Sequence, residues 1–260
     1  MRAIKELGQH FLNDAAIAAD IAALGEISQG ETIWEIGPGP GILSDALIAL
    51  GAKLKAFELD KRMAAILERR FGEKIDLTII DILKLNWAKE LEKESKPVKI
   101  IANIPYQITS PLLYKLEEHA QSLDRAVFMI QKEVAERLTA KAGDKAYSLL
   151  SIRMRLKFDI SLAFFVGAEK FDPPPKVESA VVVVTPRKNL PDLGDEKEFY
   201  SLINAAFAHK RKTLRNNLLP HLGKEKLDAL ITRSGLDFKR RAETLDEKEF
   251  ILLNHLLAEL

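Results

Sequence analysis

Residues 32–43 read T-I-W-E-I-G-P-G-P-G-I-L, and the fold turns on how that stretch is parsed. Thr32–Ile36 is a short apolar run of the kind that forms a strand. Gly37, Gly39 and Gly41 follow at alternate positions, and Ile42–Leu50 then has the pattern of a helix. Glycines at a strand-to-helix turn let the backbone approach a ligand without side-chain obstruction. The first N–H groups of the helix add directed donors.

Outward from this turn the rhythm repeats. Lys53–Glu58, Asp76–Ile80, Val98–Ala102 and Ala126–Ile130 read as strands, and Lys61–Phe71, Ser110–Glu118 and Glu133–Ala140 as helices. Such alternation predicts an α/β fold with a mostly parallel, doubly wound sheet. Phe158–Val166 and Ser179–Thr185 are two later strands. The F-D-P-P-P-K-V between them reads as a stiff extended loop, because three prolines in a row fit neither helix nor interior strand. The charged stretch Trp87–Lys99 reads as a solvated surface connection. Beyond Pro186–Asp195 only helices are expected, over Glu196–Ala208, Lys212–Pro220, Lys224–Ser234 and Asp246–Leu257. The expected division is a main domain over residues 1–186 and a small helical domain over 187–260.

Composition agrees with a folded globular protein: of 260 residues, 47% are hydrophobic and 30% charged, enough for a core with a polar surface. There is no cysteine, which excludes disulfides and thiolate metal sites, and the five histidines show no metal-ligand spacing. The N-terminal M-R-A-I-K-E-L-G-Q-H-F-L lacks the apolar core of a signal peptide, and no apolar run is long enough to span a bilayer. A cytoplasmic, metal-free monomer is expected. The net charge is +1, so a nucleic-acid partner would have to be met by a local basic patch.

Glu58 ends the second strand, about 20 residues beyond the turn, where a carboxylate can accept the ribose hydroxyls of an adenosine. The turn and this acid admit two chemistries. A dinucleotide oxidoreductase would place a third glycine where this chain has Ile42. An S-adenosylmethionine (SAM) methyltransferase carries a looser acidic-x-Gly-x-Gly, and Glu35–Gly39 fits that. An ordinary tight turn is the bland alternative. Asp81 follows the third strand and Asn103 ends the fourth. Ligands of doubly wound sheets sit at the carboxyl ends of the strands, so these residues belong to one candidate site. Alone, Asp81 also reads as a helix cap.

Asn103-Ile104-Pro105-Tyr106 suits chemistry on an adenine amino group, whose lone pair is delocalised into the ring. The Asn103 side-chain oxygen and the Ile104 carbonyl could accept both N–H bonds and favour a pyramidal nitrogen. Pro105 would fix the turn, and the Tyr106 ring could stack on a flipped-out base. Catalysis would then be mainly positioning and electrostatics. The bland alternative is an Asn turn followed by a buried Tyr.

Through these motifs the chain resembles the ribosomal RNA adenine N6-dimethyltransferase family, in its KsgA-type branch. The likeness runs through G-Q-H-F-L (Gly8–Leu12), E-I-G-P-G (Glu35–Gly39), Glu58, Asp81 and N-I-P-Y. It continues through F-D-P-P-P-K-V-E-S-A-V (Phe171–Val181) and R-K-T-L-R-N-N-L (Arg211–Leu218). The resemblance implies a Rossmann-like SAM-dependent methyltransferase domain followed by a helical RNA-binding domain. It also implies dimethylation of adjacent adenosines in small-subunit ribosomal RNA, on free RNA or a pre-ribosomal small subunit. It places Gln9, His10 and Leu12 along SAM, with His10 where many relatives have Asn. It places Gly37 and Gly39 at the cofactor, Glu58 on its ribose, Asp81 on its adenine amino group, and Asn103 against both cofactor and target base. Phe171 would be a second aromatic jaw opposite Tyr106; without the family it reads as a core anchor.

Lys210, Arg211, Lys212 and Arg215 form the densest basic cluster and are expected to bind RNA phosphates. Lys239-Arg240-Arg241 reads equally as a solvated helix face. Three other functions compete. One is a methyltransferase of large-subunit RNA, of the macrolide-resistance type. A second is an assembly checkpoint factor that acts by binding, and a third is a DNA adenine methyltransferase, which would usually carry Asn/Asp-Pro-Pro-Tyr.

Overall fold

The computed structural model describes residues 8–260. Its elements run β1 (Phe11–Leu12), α1 (Ala15–Ala23), β2 (Thr32–Ile36), α2 (Ile42–Ala49), β3 (Lys53–Glu58), α3 (Lys61–Phe71), β4 (Ile75–Ile79) and α4 (Trp87–Leu91). They continue through β5 (Val98–Asn103), α5 (Thr109–Glu118), β6 (Leu123–Gln131), α6 (Lys132–Thr139), α7 (Leu149–Lys157), β7 (Phe158–Val166), β8 (Phe171–Asp172) and β9 (Ser179–Pro186). Four helices close the chain: α8 (Glu196–Ala206), α9 (Leu214–Leu222), α10 (Lys224–Ser234) and α11 (Glu247–Ala258).

Seven strands form one sheet in the order β4-β3-β2-β5-β6-β9-β7. The first five are parallel, and β9 and β7 join antiparallel. Because β2 has β3 on one side and β5 on the other, the chain reverses its direction of winding beside β2. Such a switch point opens a crevice at the carboxyl ends of the strands.

The parallel strands are apolar on both faces, as a sheet covered on both sides requires. Ile33, Leu54, Ala56, Ile101, Val127 and Met129 belong to a core with Ile21 and Ala22 of α1 and Leu43 and Leu47 of α2. Residues of opposite parity, among them Trp34, Phe57, Ile100 and Phe128, are equally buried. There Trp34 packs edge-on against Phe57 and Trp87, with ring centroids at 5.0 and 5.8 Å.

That packing corrects part of the expectation for residues 87–99, of which Ala88, Lys89, Glu92, Lys93 and residues 95–97 are exposed as expected. Trp87 is 1% exposed and its indole N–H donates to the Ile82 carbonyl at 3.1 Å. Glu90 and Glu94 both pair with Lys55, itself a buried residue of β3. Glu90 and Glu94 therefore close on the Lys55 ammonium, while Glu92 faces water. Helices α1 and α7 were also not expected.

The chain forms two compact units. One runs to Ala135 and resumes over Lys157–Arg187; the other comprises Glu136–Leu156 and Lys188–Leu260. Residues 136–156, placed by sequence with the first domain, group with the helices. Tyr147, Ile152 and Leu156 are buried in one cluster with Phe199, Leu214, Leu230 and Phe250. In that unit Asn217 donates to the carbonyls of Ala206 and His209, and Asn254 to those of Leu193 and Asp195, tying loop ends to helices. Helix α9 begins at Leu214, capped by Thr213, so Lys212 precedes it; it continues through Pro220 to Leu222. No described helix is long and apolar enough to cross a membrane.

Candidate active site

The site lies within the first unit. One pocket is lined by residues 8–11, the glycine turn, the ends of β3 and β5, the segment after β4, and Phe171.

Gly37, Gly39 and Gly41 have φ of +64°, +57° and +91°, the left-handed region that side chains disfavour. Space matters as well at two of them. A Cβ on Gly39 would lie 2.9 Å from the Phe11 ring, and one on Gly41 2.6 Å from the Phe71 ring. Gly37 and Gly39 line the pocket, while Gly41 lets α2 and α3 approach.

Glu58 is 6% exposed and held from two sides. One carboxylate oxygen accepts the Gly39 N–H at 3.1 Å and the other the Asp60 N–H at 2.8 Å. Burial pushes its pKa up; these N–H bonds oppose that. Each oxygen keeps a further lone pair, so the anchored carboxylate can accept two neighbouring hydroxyls.

The other acid of the glycine motif behaves differently. Glu35 is 1% exposed and lies outside the pocket lining. One oxygen accepts the Ser44 hydroxyl at 2.6 Å, and the other has no partner. Burial pushes its pKa up to about 8, with Ser44 opposing and the charges of Glu58 and Asp45 adding. Glu35 therefore braces the start of α2 rather than facing a ligand.

Asp81 lines the pocket, and one of its oxygens accepts the Leu83 N–H at 3.0 Å. It is thus a turn cap and a pocket carboxylate at once. Leu59 and Ile82 add apolar walls beside the two acids.

Asn103 ends β5 and donates from its side-chain nitrogen to the His10 carbonyl at 3.4 Å. Its oxygen is left as an acceptor. The Ile104 side chain is buried and its N–H donates to the Met129 carbonyl at 3.0 Å, which fixes the turn to β6. The Tyr106 hydroxyl pairs with the Ser179 hydroxyl at 2.7 Å, and its ring lies 5.6 Å from the His10 ring. Burial raises the Tyr106 pKa, partly offset by Ser179, so the phenol stays neutral.

The N-terminal segment is pinned at several points. Gln9 donates to Asp60 at 2.9 Å, and His10 Nδ1 lies 2.7 Å from the Pro173 carbonyl, so that nitrogen carries the proton. β1 pairs with β8 as a two-residue ladder, Phe11 opposite Asp172 and Leu12 opposite Phe171. Neighbours on a strand point to opposite sides. Leu12, expected at the cofactor, is turned into the core, and Phe11 lines the pocket instead. Phe171 does both: it is 4% exposed, belongs to the core cluster and reaches the pocket wall.

Sequence reasoning missed Phe11, Ser179 and Asp60. The hydrogen bond from Arg62 holds the Asp60 carboxyl well below the usual range, so Asp60 stays charged while it caps α3 and holds Gln9. The acid of E-L-D before K-R was a visible N-cap signal; nothing local marked the other two.

In the second unit Lys210, Arg211 and Lys212 are exposed in the loop before α9. Arg215 pairs with Asp228 at 3.1 Å. Arg240, from the other basic cluster, is bound to Glu249 and the Thr244 carbonyl, a structural role.

A family profile described as ribosomal RNA adenine dimethylase matches residues 1–259. The chain is 40% identical to the ribosomal RNA small subunit methyltransferase A of Lactobacillus delbrueckii subsp. bulgaricus, covering 100% of this chain and 92% of that protein. It is also 40% identical to the protein of that name from Geobacter sulfurreducens, covering 97% and 94%. Among solved structures it resembles a dimethyladenosine transferase from Plasmodium falciparum, with TM-score 0.76, 29% identity, and 94% and 96% coverage. The fold is shared with the 23S rRNA methyltransferase ErmE at TM-score 0.71 and 23% identity, covering 95% of this chain and 99% of that one. The chain belongs to the ribosomal RNA adenine dimethylase family.

Proposed function

We propose that this protein dimethylates the N6 nitrogen of adjacent adenosines in small-subunit ribosomal RNA, with SAM as methyl donor. One observation carries the proposal. Asn103, whose amide nitrogen donates to the His10 carbonyl and so leaves its oxygen as an acceptor, lines one pocket with Glu58, Asp81 and Tyr106.

The residues present fit SAM. The glycine turn removes side chains where a ligand must come close, and the anchored Glu58 suits a ribose diol. Asp81 would take an adenine amino group between the apolar Leu59 and Ile82. Gln9, His10 and Phe11 would close the pocket, with the backbone of the Gly37–Gly39 turn beneath. When bound, SAM supplies an electrophilic methyl group.

The remaining chemistry belongs to the chain. The Asn103 oxygen and the Ile104 carbonyl would accept the two N–H bonds of the target amino group and localise its lone pair. Tyr106, fixed by Ser179, and Phe171 would hold the flipped base. No general base is invoked, because a protonated N-methyl amine is acidic enough to lose its proton to water. Lys210, Arg211 and Lys212 would grip RNA phosphates. The names of the 40%-identical relatives favour small-subunit RNA over the large-subunit alternative.

The test is mass spectrometry of ribosomal RNA digests after unmodified small subunits are incubated with the protein and SAM. N6,N6-dimethyladenosine at adjacent positions is the expected product. Its absence, or modification of large-subunit RNA alone, would refute the proposal.

A further inference from the structure

Phe165 is an apolar residue that the core does not use. It lies in β7, the last strand of the sheet, and is 48% exposed; Leu162 and Val177 are exposed too. The register between β7 and β9 slips between Leu162 and Phe164. An irregularity of that kind discourages an edge from accepting another strand. This border therefore offers side chains rather than backbone.

Its position matters. Phe165 pairs in register with Ala180, and Val166 with Ser179, the residue whose hydroxyl holds Tyr106. The same row continues through Gln131 of β6, and the next residue is Lys132, whose N–H donates to the Glu178 carbonyl. The Lys132 ammonium lies 5.0 Å from the Phe165 ring centroid and 2.7 Å from a Glu178 carboxylate oxygen. An aromatic ring and a cation thus sit together at the carboxyl end of the sheet, one residue along β7 from Val166, the cross-strand partner of the Ser179 that anchors Tyr106. A single exposed aromatic would need no explanation. This one is paired with a cation and lies next to Val166, the register partner of the residue that holds Tyr106, which lines the pocket.

We propose that Phe165 and Lys132 form a second stacking platform, which takes a nucleobase flanking the adenosine held at Tyr106; this rests on the RNA-methyltransferase function proposed above. A ring has two faces, and the ammonium covers one of them. Stacking on an aromatic face tolerates any base, so the platform adds affinity and register rather than sequence choice. Glu178 holds Lys132 in place until a phosphate of the same nucleotide replaces it. A partner strand is the less favoured occupant, because the edge is bulged.

The experiment compares the full-length wild type with Phe165→Ala, Phe165→Leu and Phe165→Trp on unmodified small ribosomal subunits. Phe165→Ala and Phe165→Leu should raise KM for the particle roughly five- to a hundredfold, while kcat and SAM affinity stay unchanged. Phe165→Leu keeps apolar volume without a stacking face, so it reads the loss of stacking even if the alanine variant melts early. Phe165→Trp should restore the wild-type KM. A KM within about twofold of wild type in the leucine variant, a tryptophan variant no better than leucine, or a fall in kcat alone would overturn the platform. If wild type methylates the particle and the variants do not differ from it, the platform alone falls. If wild type methylates no ribosomal RNA, the proposed function falls and takes the platform with it.

Discussion

The side-chain nitrogen of Asn103 lies 3.4 Å from the main-chain carbonyl of His10, across 93 residues of sequence. The contact orients the carboxamide, since only its nitrogen can donate to a carbonyl. It also ties the N-terminal segment, which lines the pocket, to the strand end proposed to meet the target base.

Asn103→Ala should lower the single-turnover rate of methyl transfer on the order of a hundredfold, comparable to loss of one preorganised polar contact in other active sites. Binding of the RNA substrate should change little, because most affinity comes from phosphate contacts elsewhere. Asn103→Asp should be equally poor, since it sets a carboxylate oxygen against the His10 carbonyl. Rapid-quench assays at saturating SAM and RNA, following mono- and dimethyladenosine separately, isolate this step. A near-normal rate in Asn103→Ala would remove the proposed role.

Glu58→Ala should weaken SAM by about 1.5–3 kcal/mol, the usual cost of losing a charged hydrogen-bond acceptor. The Gly39 and Asp60 N–H groups also lose their acceptor, so the turn should loosen. Calorimetric titration with SAM checks the affinity, and a melting curve checks that the variant is folded. A folded variant with wild-type affinity would contradict the ribose assignment.

Glu35 makes stability depend on pH. Its pKa is raised from 4.5 to about 8 by burial, so between those values the folded protein keeps a proton that the unfolded chain has released. This stabilisation is full below pH 4.5 and lost as pH rises toward 8, with a slope of up to about 1.4 kcal/mol per pH unit. Glu35→Gln, which cannot ionise, should remove that slope. The variant should melt above wild type on the alkaline side of pH 8. An identical pH dependence of melting in the two proteins would show that Glu35 does not carry the effect.

Much of the fold was legible because the informative strands are buried on both faces. Runs such as T-I-W-E-I and S-A-V-V-V-V-T have no solvent side to interrupt them. The apolar run Phe158–Val166 coincides with β7. Helix α1 carries no periodic signal, because A-A-I-A-A-D-I-A-A lacks a polar face to set against its apolar one. Trp87 was hidden by the charges after it, whose partner Lys55 lies on a distant strand. The same division holds at the site. Glu58, Asp81 and Asn103 are marked by the ends of apolar runs, and parallel topology gathers such ends. Phe11 and Ser179 depend on pairings between residues far apart in sequence, which no local pattern encodes.

The basic loop of the second unit supplies the last prediction. Lys210, Arg211 and Lys212 are exposed in the loop before α9, with the Lys210 ammonium 3.4 Å from the Lys145 carbonyl. Arg215 is different, because its guanidinium already meets Asp228. Phosphates bound by the three loop cations release condensed counterions, and affinity then falls with salt. Replacing all three with alanine should reduce the slope of log K against log salt by about two, at roughly 0.7 per phosphate contact on single-stranded RNA. Arg215→Ala alone should change it far less, because its charge is already partly neutralised by Asp228. Binding to unmodified small subunits, measured across a salt series, separates these outcomes. An unaltered slope in the triple variant would place the RNA-binding surface elsewhere on the molecule.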